Sequence, residues 1–162
     1  MQINKCLIAV TLTFLTTIAI AGKVGTKVNF NQPEKFTDFK TKGISGAKDK
    51  ERLMKELTQL IAASVAEFLD KGNIFEITIN NIDMAGSFLN LGTEYVRTIS
   101  DSDRIRFDFS YQLFDKKSET IKQGEVRLTN RNPKIFKRIR SKYDHTKFPY
   151  EMQLFDNWLQ KL

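Results

Sequence analysis

The 162-residue chain holds one cysteine, one histidine and three prolines. A disulfide framework needs paired cysteines, so none forms within the chain. Metal cages built from several His or Cys ligands are excluded for the same reason. The chain also lacks EF-hand spacing, HExxH, GxSxG and a P-loop, so those metal, nucleophile and phosphate chemistries have no sequence footing. No apolar run reaches the ~20 residues that span a bilayer as a helix. The longest, Cys6 to Ala21, is sixteen residues and is interrupted by threonines.

That run reads as a leader. Lys5 supplies the positive start, and Ala19-Ile20-Ala21 ahead of Gly22 is an A-x-A cleavage pattern. The expected division is residues 1–21 as a cleaved signal peptide and 22–162 as one domain. Cys6 stands at the very start of the apolar run, where a lipoprotein cysteine would follow it. Cleavage removes the only cysteine, which suits an oxidising compartment. It also removes Lys5 and lowers the net charge from +7 to +6. The expected location is the periplasm of a Gram-negative bacterium, or the medium beyond it.

What remains is long enough for one core. Its hydrophobic spacing points to an α+β domain. Lys48 to Lys71 is a helix: Leu53, Leu57, Leu60, Ile61, Val65, Phe68 and Leu69 form one stripe. Glu51–Lys55, Arg52–Glu56 and Glu67–Lys71 stand at i,i+4 on its wet face, and Gly72-Asn73 stops it. Strands are expected at Lys27–Phe30, Ile74–Ile82, Glu94–Ile99, Arg104–Phe114 and Thr120–Thr129. In the second, the apolar phase slips at Asn80-Asn81, the mark of a bulge or strand end. In the fourth, Ile105, Phe107, Phe109, Tyr111 and Leu113 alternate with polar residues. Asp115 to Ser118 makes the turn into the fifth, where Val126 and Leu128 point inward and Gly124 marks a bulge or close approach. Phe148 to Leu162 is a second helix, Pro149 in its first turn, with Tyr150, Leu154, Phe155, Trp158, Leu159 and Leu162 as its apolar face. The fold expected is a single domain: an antiparallel sheet of four to five strands, the long helix on one face, and C-terminal helices.

Candidate chemistry is sparse. His145 lies in a polar stretch and reads as a surface residue. Asp38, Asp83 and Glu125 stand near turns and glycines. Three carboxylates brought together would do acid–base work; apart, they cap turns. The strongest signal outside the core is basic: Arg131, Lys134, Lys137, Arg138, Arg140 and Lys142 fall within twelve residues that contain no acid. Ile135, Phe136 and Ile139 interleave with them at helical spacing. Such a segment suits an anionic lipid surface or an acidic envelope protein, and is otherwise a solvated helix face. Aromatics make up 11% of the chain, but they follow core periodicity rather than a base-stacking ladder, and nucleic acid is not an expected partner. No cofactor or metal is called for.

The residues resemble a bacterial family, domain of unknown function 3016. Pro33-Glu34-Lys35-Phe36-Thr37-Asp38 is similar to its "NPEKFTD" opening, and Asp83-Met84-Ala85-Gly86 to its "D-hydrophobic-AG" segment. Arg104-Ile105 leading a strand, Gly124-Glu125 in the next, and Tyr150 through Asp156-Asn157-Trp158 follow in order. Ser102-Asp103 stands where the pattern has Trp-Pro. The resemblance implies an exported protein and assigns no activity. It also implies a shared role, fold-fixing or functional, for Asp38, Asp83, Gly86, Glu125 and Trp158. Gly86 is the position where a positive φ is expected, and Trp158 a core anchor. Taken together, the sequence favours a non-enzymatic binding or accessory module of the cell envelope. Two readings stay open beside it: a carboxylate-based hydrolase or lyase, and a structural subunit of an envelope complex.

Overall fold

A computed structural model of the chain describes residues 17–21, 24–40, 47–90, 95–100, 102–129 and 142–162. Its elements are β1 (Thr17–Ala21), β2 (Val24–Phe30), a 3-10 turn at Pro33–Lys35, α1 (Ala47–Phe68), β3 (Ile74–Asp83), β4 (Ser87–Asn90), β5 (Tyr95–Thr98), β6 (Arg106–Phe114), β7 (Thr120–Thr129) and α2 (Pro149–Leu159). Five strands form one sheet in the order β1-β2-β3-β6-β7, and β4-β5 form a separate ribbon.

The sheet is antiparallel at three of its pairings, but β2 and β3 run parallel. This corrects the expected all-antiparallel sheet. The reason is α1: a helix inserted between two neighbouring strands returns the chain to its starting end, so the second strand repeats the first direction. The expected β-hairpin is β6–β7. There Asp115 Oδ1 accepts the Lys117 and Glu119 backbone N–H groups at 2.8 and 2.9 Å.

Alternation decides which face is covered. Phe75, Ile77 and Ile79 of β3 and Phe107, Phe109, Tyr111 and Leu113 of β6 are buried. They share one core with Leu53, Leu57, Ile61 and Val65 of α1 and Met152, Phe155 and Leu159 of α2. Both helices therefore cover the same face. The phase slip in β3 is a register shift between Ile79 and Asn81. Past it, Ile82 and Met84 turn inward and are fully buried. Gly124 sits opposite Tyr111, whose ring carbon would stand 3.4 Å from an added Cβ. It is a close approach, and the bulge of that hairpin lies at Leu113/Phe114.

Two expectations change. The face of α2 is rotated: Glu151, Met152, Phe155, Asp156 and Leu159 are buried, whereas Tyr150 and Leu154 are only half-buried. Trp158 still anchors the core, its ring 5.0 Å from Phe109 and 4.9 Å from Tyr111. On α1, Arg52 meets Asp49, and Glu56 and Glu67 reach Lys147 and Lys142. The expected i,i+4 partners of these three side chains give way to others, two of them tertiary.

Candidate functional site

The end of β3 gathers the polar groups. Asp38 and Asp83 form an isolated parallel bridge. The Asp38 N–H donates to the Ile82 carbonyl at 3.3 Å, and the Met84 N–H to the Asp38 carbonyl at 3.0 Å. The Asp83 carboxylate caps the turn, whereas Asp38 joins it through its backbone. Asp83 Oδ1 accepts the Ala85 N–H at 3.3 Å, and Lys40 Nζ stands 3.4 Å from Asp38 Oδ1. Asn81 beside them takes the Thr37 N–H at 2.9 Å.

The turn after Asp83 is shaped by its residues. Ala85 has φ 37° and Gly86 φ 85°, the left-handed region that glycine adopts freely. A Cβ on Gly86 would also collide with the Thr98 carbonyl oxygen and the Ile99 side chain. Gly86 thus lets the turn lie flat against β5, and the positive φ expected from the sequence is present.

Beneath this turn is a buried ion pair that sequence reasoning missed. Arg97 of β5 donates from Nη1 to both oxygens of Glu151 on α2, at 2.9 and 3.0 Å. Its Nε donates to the Ala85 carbonyl at 3.0 Å. The side chains are 3% and 0% exposed. The guanidinium lies over the Tyr150 ring, 5.4 Å from its centroid. Complete burial pushes the Glu151 carboxyl above its ordinary range, while Arg97 pulls it back down. The pair latches the β4–β5 ribbon and the Asp83–Gly86 turn to α2. The only advance signal was negative: Glu151 breaks the apolar spacing of its helix.

A second polar network ties α1 to α2. The Tyr143 hydroxyl lies 2.6 Å from Ser64 Oγ, and 3.0 and 2.9 Å from the two Asp156 oxygens. Burial raises the Tyr143 pKa. Lys142 Nζ contacts Glu67 at 2.6 Å and Asp156 at 3.0 Å. Burial lowers its pKa, but the hydrogen bonds it donates to Glu67 and Asp156 win, and the net direction is up. A tyrosine and a lysine held in their protonated forms stitch helices; they do not supply a base.

Glu125 stands apart from the two aspartates. It pairs with Ser110, while Asp83 pairs with Arg106 on the other side of β6. Four residues along β6 and two strand spacings separate them by about 16 Å, too far for a shared acid–base step. Among the described residues, no group of three or more His, Cys, Asp or Glu is placed to hold a metal ion. His145 is exposed. Of the basic set, Lys142 is committed to two carboxylates, whereas Arg131, Lys134, Lys137, Arg138 and Arg140 lie outside the described residues.

The face of the sheet away from the helices is polar. Glu76, Thr78, Ser110, Gln112 and Gln123 line a shallow groove of about 450 Å³ on it. Lys27–Glu76 and Arg127–Asp108 pair at 3.3 and 3.2 Å along the same face. Near the hairpin end, Ile74 and Ile121 are 37% and 53% exposed.

These features define a class: a single α+β domain with a mixed sheet, both helices on one face and a buried ion-pair latch at the sheet's end. The model of the protein family of unknown function DUF3016 matches residues 24–161, and the chain belongs to that family. The match begins at the first residue of β2, so β1 lies outside it. The curated proteins give no match. Among solved structures, the chain is similar to a minor lipoprotein from Acinetobacter baumannii, at 10% identity and a TM-score of 0.23, over 86% of this chain and 87% of that one. No helix among the described residues is long and apolar enough to cross a membrane.

Proposed function

We propose that the protein is an exported, non-enzymatic binding module of the bacterial cell envelope. Residues 1–21 deliver it to the periplasm. The basic segment that follows β7 then docks it on an anionic lipid surface. One contrast carries the reading. On the described body acids and bases are interspersed, and several pair with one another. The segment from Arg131 to Arg140 concentrates five cations with no acid among them. Clustered cations attract anionic headgroups by about 1 kcal/mol each near the surface. The acid–base reading has less support, because Glu125 stands about 16 Å from Asp83 by strand spacing.

The test is co-sedimentation of the protein with anionic and neutral vesicles at low and high salt. Pelleting with anionic vesicles alone, lost at high salt, is the expected result. Replacing Lys137, Arg138 and Arg140 with alanine should remove it. Equal pelleting with neutral vesicles, or none with either, overturns the lipid reading and directs the search to an acidic protein.

A further inference from the structure

The edge of β2 carries the inference. In the full chain, β1 occupies that edge, antiparallel, in the register Thr17–Val28 through Ala21–Val24. The expected cleavage point, between Ala21 and Gly22, falls between β1 and β2. Cleavage there strips one strand from the sheet. Among the residues whose burial is described, the apolar core begins at Val28, and cleavage keeps all of it. The seven-residue β2 then becomes a bare edge, with a row of backbone donors and acceptors turned outward.

Natural edges are guarded by charge, and the two edges of this sheet differ. On β7, Lys122, Glu125 and Arg127 punctuate the strand. On β2 the single charged residue is Lys27, and it is drawn sideways to Glu76 at 3.3 Å. β2 is therefore the unguarded edge.

Thr26 shows what the edge lacks. It is 2% exposed, and its hydroxyl has no hydrogen-bond partner among the described residues. Its register partner is Ala19, a residue without a side-chain hydrogen-bonding group. A buried hydroxyl left unpaired is costly, and Thr–Thr or Thr–Ser cross-strand pairs are favourable. A strand with Ser or Thr at the Ala19 position would place a hydroxyl directly opposite Thr26 in the register.

We propose that β2 of the processed chain is a strand-acceptor site. It takes an extended segment of a partner protein, antiparallel, in the register the leader holds, with Ser or Thr opposite Thr26. Main-chain hydrogen bonds supply affinity, and Thr26 supplies selectivity. The proposal rests on the leader reading above.

The test uses the 22–162 chain, which keeps every core residue described. The probes are a synthetic peptide spanning residues 16–21 with a solubilising lysine tail, and its Ala19→Thr form. The readouts are fluorescence anisotropy of the labelled peptides and hydrogen exchange of the chain. Both peptides should bind and slow exchange across residues 24–30. The Ala19→Thr peptide should bind about fivefold more tightly, the scale of one cross-strand pair with its buried hydroxyl satisfied. Thr26→Val, which keeps the β-branched shape, should erase that difference. Binding of neither peptide, protection confined to 120–129, or a preference that survives Thr26→Val overturns the site. Self-association through 24–30 that neither peptide competes away overturns it in favour of a second copy. The intact mass of the protein recovered from the producing cell tests the leader separately. A full-length mass removes the free edge along with the leader reading. A processed chain that ignores both peptides removes the acceptor site alone.

Discussion

Arg127 and Arg97 each meet a carboxylate at similar range, 3.2 Å to Asp108 and 2.9 Å to Glu151, on opposite sides of one domain. Arg127 is 68% exposed and Arg97 is 3% exposed. On the open face, water competes for the exposed Arg127, and such a pair contributes under about 1 kcal/mol. Beneath the β3 turn both side chains are almost wholly shut off from solvent, so a partner that leaves is not replaced by bulk water. The same chemistry is a surface decoration in one place and a latch in the other. Burial sets the difference, not distance.

The comparison can be broken at its buried end first. Glu151→Ala leaves the Arg97 guanidinium buried and uncompensated, and should cost about 3–5 kcal/mol in urea unfolding. Replacing both partners, Arg97→Met with Glu151→Leu, should recover most of that loss. If the single variant unfolds like the wild type, the latch is not one.

Gly86→Ala tests the turn that the latch holds down. The strained φ and the clash with the Thr98 carbonyl together should cost about 3 kcal/mol. A crystal structure of the variant should show the ribbon displaced. Unchanged thermal stability would mean that the turn relaxes freely.

Tyr143→Phe probes the other buried network. Removing the hydroxyl leaves Ser64 unpaired, and the loss should be about 1–3 kcal/mol. The pH dependence sharpens this. The Tyr143 pKa is raised on folding, so the folded state holds its proton more tightly than the unfolded state does. That contribution is complete below the unfolded value near 10 and is lost as pH rises through the folded value. Wild-type stability should therefore fall more steeply above pH 10 than that of Tyr143→Phe, measured by denaturant titration at each pH.

The smallest effect belongs to the open face. Lys27→Ala should change stability by no more than about 0.5 kcal/mol. A larger loss would show that the Lys27–Glu76 pair is better shielded than its exposure indicates.

Much of this was legible in one dimension. The strand Arg106–Phe114 and its partner Thr120–Thr129 follow from strict alternation around a polar turn. The slip at Asn80-Asn81 located the β3 bulge, because a period of two has no other way to change phase. Asp38, Asp83 and Gly86 were singled out, and the fold brings them to one corner. The third carboxylate, Glu125, went elsewhere, because residue type says nothing about which strand lies between. β4 was missed because four residues are too few to show a period.

Arg97 and Glu151 were missed for a deeper reason. A charged residue reads as exposed unless its partner is known, and the partner here is 54 residues away. The same blindness misplaced the face of α2. With Glu151 and Asp156 scored as outward, the apolar stripe was drawn through Tyr150 and Leu154.

The sequence by itself determined both helices and the strands β2, β3, β5, β6 and β7, the core of β3, β6 and α1, and the concentration of cations between Arg131 and Lys142, because periodicity and composition are local properties of the chain. Only the tertiary structure decided that β2 and β3 run parallel, that both helices share one face and leave the other wet, and that two charges lie buried at the end of β3. Those outcomes depend on which distant residues meet, and a buried ion pair is favourable only once both partners have arrived.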